Sequence, residues 1–266
     1  MATEEKIQIL PKGKMSKISL YHLYKLIFRA AAFLIAFVLY IINRYRATGN
    51  TFGGVEKMPW ILGIIWLAFA VEIFLRLFPS RAESMGCQKQ FLRNYKPTEN
   101  KIPEKQAWWR TFIMALLWLS ADGAVVGLYL LSVIDAGIVV LYCLFLSVID
   151  VICILFFCPF QTFIMKNKCC AGCRIYNWDY IMMFTPLFFI QSFFTVSIAV
   201  LSLALFLVWE IIYRLHPERF SESTNSSLNC RNCKEKLCAH KTQLRKFLKR
   251  RGIKLKDISE KDKICK

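Results

Sequence analysis

Two short cysteine clusters flank the last apolar stretch of this chain. Cys170 and Cys173 form one Cys-x-x-Cys pair. Cys230 and Cys233 form a second pair at the same spacing. Such a pair directs two thiolates at one metal ion from a single turn, and two pairs supply the four ligands of a tetrahedral site. If both clusters lie on the same side of a membrane, the spacing predicts a metal site. Zinc and a [4Fe-4S] cluster use the same ligands, so the choice between them stays open.

Further residues beside the clusters offer alternative ligands, namely Cys169, Cys238 and His240. A thiol redox pair and reduced thiols without a function are the competing interpretations. Most of the eleven cysteines lie within apolar stretches or beside lysine-rich segments predicted to be cytosolic. Because thiols stay reduced in the cytosol, metal binding is favoured over disulfide bonds.

Carboxylates form a second group of candidate functional residues. Asp122 and Asp150 fall near the middle of two predicted membrane spans joined by a tight turn. A charged carboxylate at that depth costs a few kcal/mol and usually faces a partner or an aqueous path. The pair is therefore expected either to share a proton or bind a cation, or to hold the two helices together.

Cysteines near Asp150 give a weaker signal. Cys153 and Cys158 lie within the same predicted span, and Pro159 follows the second of them. Proline inside a span frees a backbone carbonyl, which can bind a soft metal together with a neighbouring thiolate. The alternative is that each cysteine packs as a small apolar residue.

Two other acidic residues in predicted spans have a basic residue one turn later. Glu72 precedes Arg76, and Glu210 precedes Arg214, each at the i, i+4 spacing that permits an ion pair on one helix face. The spacing predicts that each pair is structural.

The composition indicates which elements position these residues. Of 266 residues, 56% are hydrophobic, the mean hydropathy is +0.40 and the formal net charge is +18. A soluble domain has fewer apolar residues and lacks long uncharged runs. The basic residues concentrate between the apolar runs and at the termini, as in membrane proteins that follow the positive-inside rule. A membrane protein is therefore favoured over a nucleic-acid-binding protein.

Five apolar segments are candidates for membrane spans, which need about 20 residues each. The lysine- and arginine-rich segments are the N-terminus, the region between the second and third spans, and the region after the fourth. Their charge predicts a cytoplasmic N-terminus. The five segments are 21–42, 60–78, 108–134, 138–164 and 176–213.

The last segment has two interpretations. As one long tilted span, 176–213 would place the two cysteine clusters on opposite sides and the basic tail outside. As a hairpin broken near Gln191 and Ser192, it returns the tail to the cytoplasm. The hairpin is preferred, although two full crossings want about 40 residues and its first arm would have to be buried by neighbouring helices.

These observations predict an all-α, polytopic helical bundle of five to six membrane segments in the cytoplasmic membrane. Residues 1–20 form a cytosolic N-terminal segment, 21–214 the transmembrane domain, and 215–266 a cytosolic, cysteine-rich and basic tail. Within that tail, 241–251 is expected to bind anionic lipid headgroups. No nucleotide fingerprint, HExxH or Ser-His-Asp order indicates an enzyme class.

The predicted function is that of a membrane protein with a metal site on the cytosolic face, in a structural or a redox and metal-handling role. A small transporter or metal-ion permease that uses Asp122 and Asp150 is the first alternative. A non-catalytic membrane scaffold that recruits partners through the basic tail is the second.

Overall fold

A computed structural model describes residues 17–46, 51–52, 58–79, 86–100, 102–104, 107–156, 158–166 and 173–229 of the protein. Within these ranges the regular structure is helical. The predicted all-α class is therefore confirmed. The helices are α1 (Lys17–Arg46), α2 (Pro59–Leu77), α3 (Trp108–Leu130), α4 (Ala136–Leu155), α5 (Asp179–Phe184) and α6 (Phe193–Leu215).

Every helix except α5 is long and apolar enough to cross a membrane. This supports the prediction of a multi-pass membrane protein. Many of their large apolar side chains are exposed on the outside of the bundle. A polytopic protein needs such a surface, because those side chains face lipid.

Local sequence explains the ends of α4. The Asp135 carboxylate accepts a hydrogen bond from the backbone N–H of Ile138 at 3.0 Å, which caps the first turn. The helix ends at Leu155, earlier than the predicted end at residue 164. Pro159 explains the difference, because its ring would clash with the Leu155 carbonyl in a continuous helix. A π-helix from Phe160 to Met165 follows.

Antiparallel packing of α1 and α4 sets the framework of the bundle. Near the middle of α1, Arg29 donates to the Ser147 carbonyl at 2.8 Å. Near its end, the Tyr40 hydroxyl donates to Asp135 at 3.0 Å. Because α1 and α4 run in opposite directions, the start of α1 and the end of α4 lie at the same end of the bundle.

The apolar segment 176–213 folds as a hairpin. Its first arm consists of a 3-10 helix (Arg174–Trp178), α5 and a second 3-10 helix (Thr185–Phe189). The chain then turns at Gln191–Ser192 into α6. The break falls where the hairpin interpretation predicts it, and the single long span is wrong.

Contacts with α2 fix the direction of the first arm. Asp179 pairs with Arg76 at 2.6 Å, whereas Phe184 packs edge-to-face on Phe69 with 5.1 Å between ring centroids. The arm thus runs antiparallel to α2. By contrast, α6 runs parallel to α2, because Trp66 bonds Ser197 near the start of α6 and Trp209 bonds the Arg76 carbonyl near its end.

Two connecting segments are hydrogen-bonded to each other at one end of the bundle. We call this end the loop face. Segment 86–104 follows α2, and segment 216–229 follows α6. The Asn225 side chain donates to the Lys89 carbonyl at 3.1 Å, and the Ser226 N–H donates to the Lys96 carbonyl at 2.9 Å. The opposite end, called the turn face, carries the turns 131–135 and 190–192. The described chain therefore begins and ends at the loop face.

Candidate functional site

An intramembrane cavity of about 350 Å³ lies between α3, α4 and the segments that follow α4. It extends along α3 from Met114 to Asp122, about 12 Å of helix, and along α4 from Tyr142 to Ile154, about 18 Å. Volumes of this size are typical of small-molecule sites. Cys158, Phe160, Gln161, Cys173 and Asp179 line its part nearest the loop face. Its remaining lining is mainly apolar and aromatic: Leu117, Trp118, Ala121, Leu146, Ile149, Ile175, Tyr176, Met182 and Met183.

Asp122 lies at the end of the cavity that is farther from the loop face. Asp122 is 2% exposed. The Trp118 indole N–H donates to one carboxylate oxygen at 2.7 Å, and the Tyr142 hydroxyl donates to the other at 3.0 Å. Both donors are neutral, and an ionised carboxylate can accept about four hydrogen bonds. Among the described residues, no basic side chain forms an ion pair with Asp122.

Asp150 has a different environment, although it lines the same cavity. Its carboxylate pairs with the Arg29 guanidinium at 3.1 Å. Tyr142, which binds Asp122, precedes Asp150 by about two helical turns, or roughly 12 Å of rise. The two carboxylates therefore bind separate partners at different levels of the bundle, and the hypothesis that they share a proton is wrong.

Arg29 is the centre of a buried set of charges that we call the charge cluster. Its side chain is fully buried and bridges Asp150 to Glu72, with 2.6 Å between the guanidinium and the Glu72 carboxylate. Lys25 pairs with the same Glu72 oxygen at 2.8 Å, and the Tyr180 hydroxyl also donates to it. The full cluster comprises Lys25, Arg29, Arg76, Glu72, Asp150 and Asp179.

The predicted helix-internal pair between Glu72 and Arg76 is wrong. Arg76 instead pairs with Asp179 at 2.6 Å, and its guanidinium lies 4.8 Å from the centroid of the Tyr180 ring. Both residues of the predicted pair lie on α2, but neighbouring segments supply closer opposite charges. Lys25 and Arg29 come from α1, and Asp179 comes from the first arm of the hairpin. Tertiary contacts therefore replace the i, i+4 interaction.

Glu210 likewise binds a partner outside its own helix. Arg174 donates to both carboxylate oxygens, at 3.2 and 2.7 Å, and the Trp178 indole donates to one of them at 2.9 Å. The predicted pairing of Glu210 with Arg214 is therefore wrong. The pair of Arg174 and Glu210 ties the start of the first arm to the end of α6.

Charge balance separates Asp122 from the other intramembrane acids. The charge cluster holds equal numbers of cations and carboxylates. Asp150 and Asp179, which also line the cavity, are neutralised by Arg29 and Arg76. Within the described chain, Asp122 is thus the cavity carboxylate with only neutral partners.

The cysteines predicted inside the membrane lie along the same cavity. Cys153, Cys158 and Cys173 all contribute to its wall. Cys173 is 4% exposed and packs with Met114 and Met165. In the described residues, no group of three or more His, Cys, Asp or Glu side chains is arranged to hold a metal ion.

Most of the predicted metal ligands lie outside the described residues. These are Cys169, Cys170, Cys230, Cys233, Cys238 and His240, and the basic segment 241–251 lies outside as well. The described residues closest to them are Cys173 and Asn229. Arg174 binds Glu210 near the loop-face end of α6, and Asn229 ends the segment that binds 86–104. Along the sequence, each cysteine cluster therefore stands next to a described segment that lies at the loop face.

Sequence reasoning missed Lys25, Arg29 and Asp179 as parts of a buried ionic cluster. The available signal was the i, i+4 spacing of Lys25 and Arg29 inside the first apolar segment. Two cations in a span require anionic partners. The sequence cannot identify those partners, because Glu72 and Asp150 lie on two different helices, α2 and α4.

Comparison of the chain with protein families, with curated proteins and with solved structures gives no match.

Proposed function

We propose that this protein is a small membrane transporter whose substrate site is the intramembrane cavity, with Asp122 as its charged substrate contact. One observation carries the proposal: Asp122 is buried, lines a cavity of ligand size, and accepts hydrogen bonds only from neutral donors among the described residues. An acidic residue within a membrane is costly, and such residues commonly mark substrate or ion pathways.

Support also comes from the contrast with the other cavity carboxylates. Asp150 and Asp179 have guanidinium partners, so they serve the packing of α1 and α2 against their neighbours. Asp122 bonds Trp118 on its own helix and Tyr142 on the adjacent one. Neutral side chains could link α3 to α4 equally well, so this contact does not require the charge of Asp122. The carboxylate is therefore available to a cationic substrate or a proton.

The cavity also extends from Asp122 toward the loop face. Its wall starts at Cys158 and Gln161 beyond the end of α4 and reaches Asp122 deep in α3. With the first arm of the hairpin as a sixth crossing, both described chain ends lie on one side, which the basic residues assign to the cytoplasm. The substrate would then enter from the cytoplasmic side.

A substrate-independent test measures water access to the cavity wall. A membrane-impermeant thiol reagent is added to either side of sealed vesicles, and labelled peptides are identified by mass spectrometry. At least one of Cys153, Cys158 and Cys173 should react from the loop-face side. If all three stay unlabelled from both sides while Cys265 is labelled, the cavity has no aqueous connection and the proposal is wrong.

Asp122→Asn then tests the role of the carboxylate. Proteoliposomes are exposed to a panel of monovalent, divalent and organic cations, and uptake is quantified by mass spectrometry. Wild type should accumulate a cation that Asp122→Asn does not accumulate. Asp135→Asn is the matched control, because Asn also caps a helix start and this residue lies at the turn face. Equal uptake by the Asp122→Asn variant refutes the role of Asp122.

A zinc or iron–sulfur site is the second candidate function. The observation in its favour is that the described residues next to the two clusters, Cys173 and Asn229, belong to segments that meet at the loop face. The two-pair arrangement requires both clusters on one side. A metal bound through Cys173 would lie against the bundle, since this residue is buried. Protein purified without oxygen should contain stoichiometric zinc, or iron with visible absorbance, and lose it in Cys233→Ser. Cys265→Ser is the control, and metal-free wild type refutes the site.

A further inference from the structure

We propose that the intramembrane cavity binds a lipophilic, monovalent organic cation, such as a bulky phosphonium or a substituted ammonium. This inference rests on the proposed substrate site and names its ligand class. The charge, the chemistry of the wall and the dimensions of the cavity each support it.

The charge of the cavity sets the valence of the ligand. Three carboxylates contribute to the wall, but Asp150 and Asp179 form ion pairs with Arg29 and Arg76. Asp122 remains as one formal negative charge without a basic partner in the described chain. A ligand with a single positive charge neutralises it, whereas a second positive charge would be buried without compensation.

The chemistry of the wall favours an organic cation over a metal ion. Magnesium and calcium need several oxygen ligands, and Asp122 is one carboxylate with apolar neighbours. The part of the chain that the structure describes holds no group of metal-ligating side chains of sufficient number. An organic cation spreads its charge over carbon, so it loses less hydration energy on entering an apolar wall.

Aromatic residues near Asp122 add a favourable surface for such a cation. Trp118 and Tyr142 donate to the carboxylate and also line the cavity. Tyr176 and Phe160 line the part nearer the loop face. Aromatic rings attract organic cations through their negative faces, and Trp is the strongest of them. Ligand apolar groups can pack along the wall between Asp122 and Phe160.

The dimensions agree with a ligand larger than a simple ion. The cavity holds about 350 Å³ and follows α3 for roughly 12 Å. A bare alkali ion would leave most of this volume empty. A rigid cation with several aromatic or alkyl substituents fills it while it places its charge near Asp122.

Equilibrium binding of radiolabelled tetraphenylphosphonium to the full-length protein in nanodiscs tests the inference. Tetraphenylborate has the same shape and the opposite charge, so it serves as the matched ligand. Wild type should bind tetraphenylphosphonium saturably at one site, and tetraphenylborate, measured alone in a separate sample, should show no saturable binding. Empty nanodiscs correct for partition into lipid.

Variants assign the binding to Asp122. Asp122→Asn should weaken tetraphenylphosphonium binding more than tenfold, Asp122→Glu should retain most of it, and Asp135→Asn should leave it unchanged. A matching elution profile on size exclusion establishes that each variant is folded. Unsaturable binding of tetraphenylphosphonium by wild type, saturable binding of tetraphenylborate, or equal affinity of Asp122→Asn for tetraphenylphosphonium overturns the inference.

The experiment separates this inference from the proposed function. Saturable, Asp122-dependent binding without uptake into proteoliposomes supports the ligand class and refutes transport of that ligand. Asp122-dependent uptake of a metal ion, with no tetraphenylphosphonium binding, supports transport and refutes the ligand class.

Discussion

Replacement of Glu72 by Gln should destabilise the protein strongly, because Glu72 is the anion on which the charge cluster converges. One of its oxygens lies 2.8 Å from the Lys25 ammonium and 2.6 Å from the Arg29 guanidinium, and it accepts the Tyr180 hydroxyl. Gln keeps the size of the side chain and can still accept from Tyr180. It removes the negative charge, so the cluster is left with one uncompensated cation.

The magnitude follows from burial. The Arg29 side chain is fully buried and that of Lys25 is 5% exposed, whereas Glu72 is 16% exposed. Breaking a buried ion pair from one side costs about 3–5 kcal/mol. The partial exposure of Glu72 and the retained Tyr180 contact place the expected loss near the lower limit, at about 3 kcal/mol. For a chain of this size that corresponds to a decrease in thermal midpoint of about 6–12 °C.

The assay is the thermal midpoint of detergent-solubilised protein, measured by loss of the monodisperse peak on size exclusion. A second substitution tests whether charge is the cause. Lys25→Met restores neutrality in the Glu72→Gln background, so the double variant should regain at least about 1 kcal/mol relative to the sum of the two single variants. If the two single effects simply add, Lys25 and Glu72 are not coupled and the reasoning is refuted.

Three further predictions concern packing and topology. Gly137→Ala should lower the free energy of unfolding by about 1–3 kcal/mol, because a Cβ there would lie 2.8 Å from the Tyr40 ring. Measurement of thermal midpoints would detect this loss. Glu210→Gln should lower the free energy of unfolding by about 1.5–3 kcal/mol and release the start of the hairpin from α6. Faster limited proteolysis between α4 and α5 would detect this release. Accessibility reporters placed within 86–104 and after residue 229 should be modified from the same side of the membrane.

Each of these predictions has a matched control. Gly127→Ala places a Cβ where no atom lies within 4 Å, so it should be neutral or slightly stabilising. Arg214→Gln should leave stability nearly unchanged, since Glu210 binds Arg174 instead. A reporter in the turn 131–135 should be modified from the opposite side. Equal effects of Gly127→Ala and Gly137→Ala, or reporters on mixed sides, would contradict the packing described here.

Sequence alone indicated the all-helical class and the position of most helices. The first four apolar segments all contain the expected helix, because length and hydropathy are local properties. The end of α4 was misplaced by about nine residues, although Pro159 already carried the necessary information. The hairpin was inferred from charge distribution and a break at Gln191–Ser192, and the structure confirms it.

The candidate site was harder to predict because its geometry depends on contacts between distant segments. Asp122 and Asp150 were identified individually, since a carboxylate in an apolar run is visible in sequence. The sequence does not show that their environments differ. That difference arises because Arg29 on α1 reaches the carboxylate of Asp150. The same reason explains the wrong i, i+4 pairs at Glu72 and Glu210. Whether the cysteine clusters bind metal stays a prediction.

The fragmented first arm of the hairpin has a consequence for how the chain is assembled in the cell. Residues 174–189 form three short helices and contain Arg174 and Asp179, so this arm alone is a poor substrate for insertion into lipid. Asp179 pairs with Arg76 on α2, and Arg174 pairs with Glu210 on α6. During synthesis α2 is available before the arm emerges, but Glu210 emerges after it.

The arm therefore cannot complete its interactions until α6 has left the ribosome. It should remain at the membrane surface or in the insertion machinery until then, and enter the bilayer together with α6 as one unit. A nascent chain stalled before Glu210 would consequently expose the arm to proteases on the loop-face side. Release of the full hairpin would close the bundle in a single late step of biogenesis.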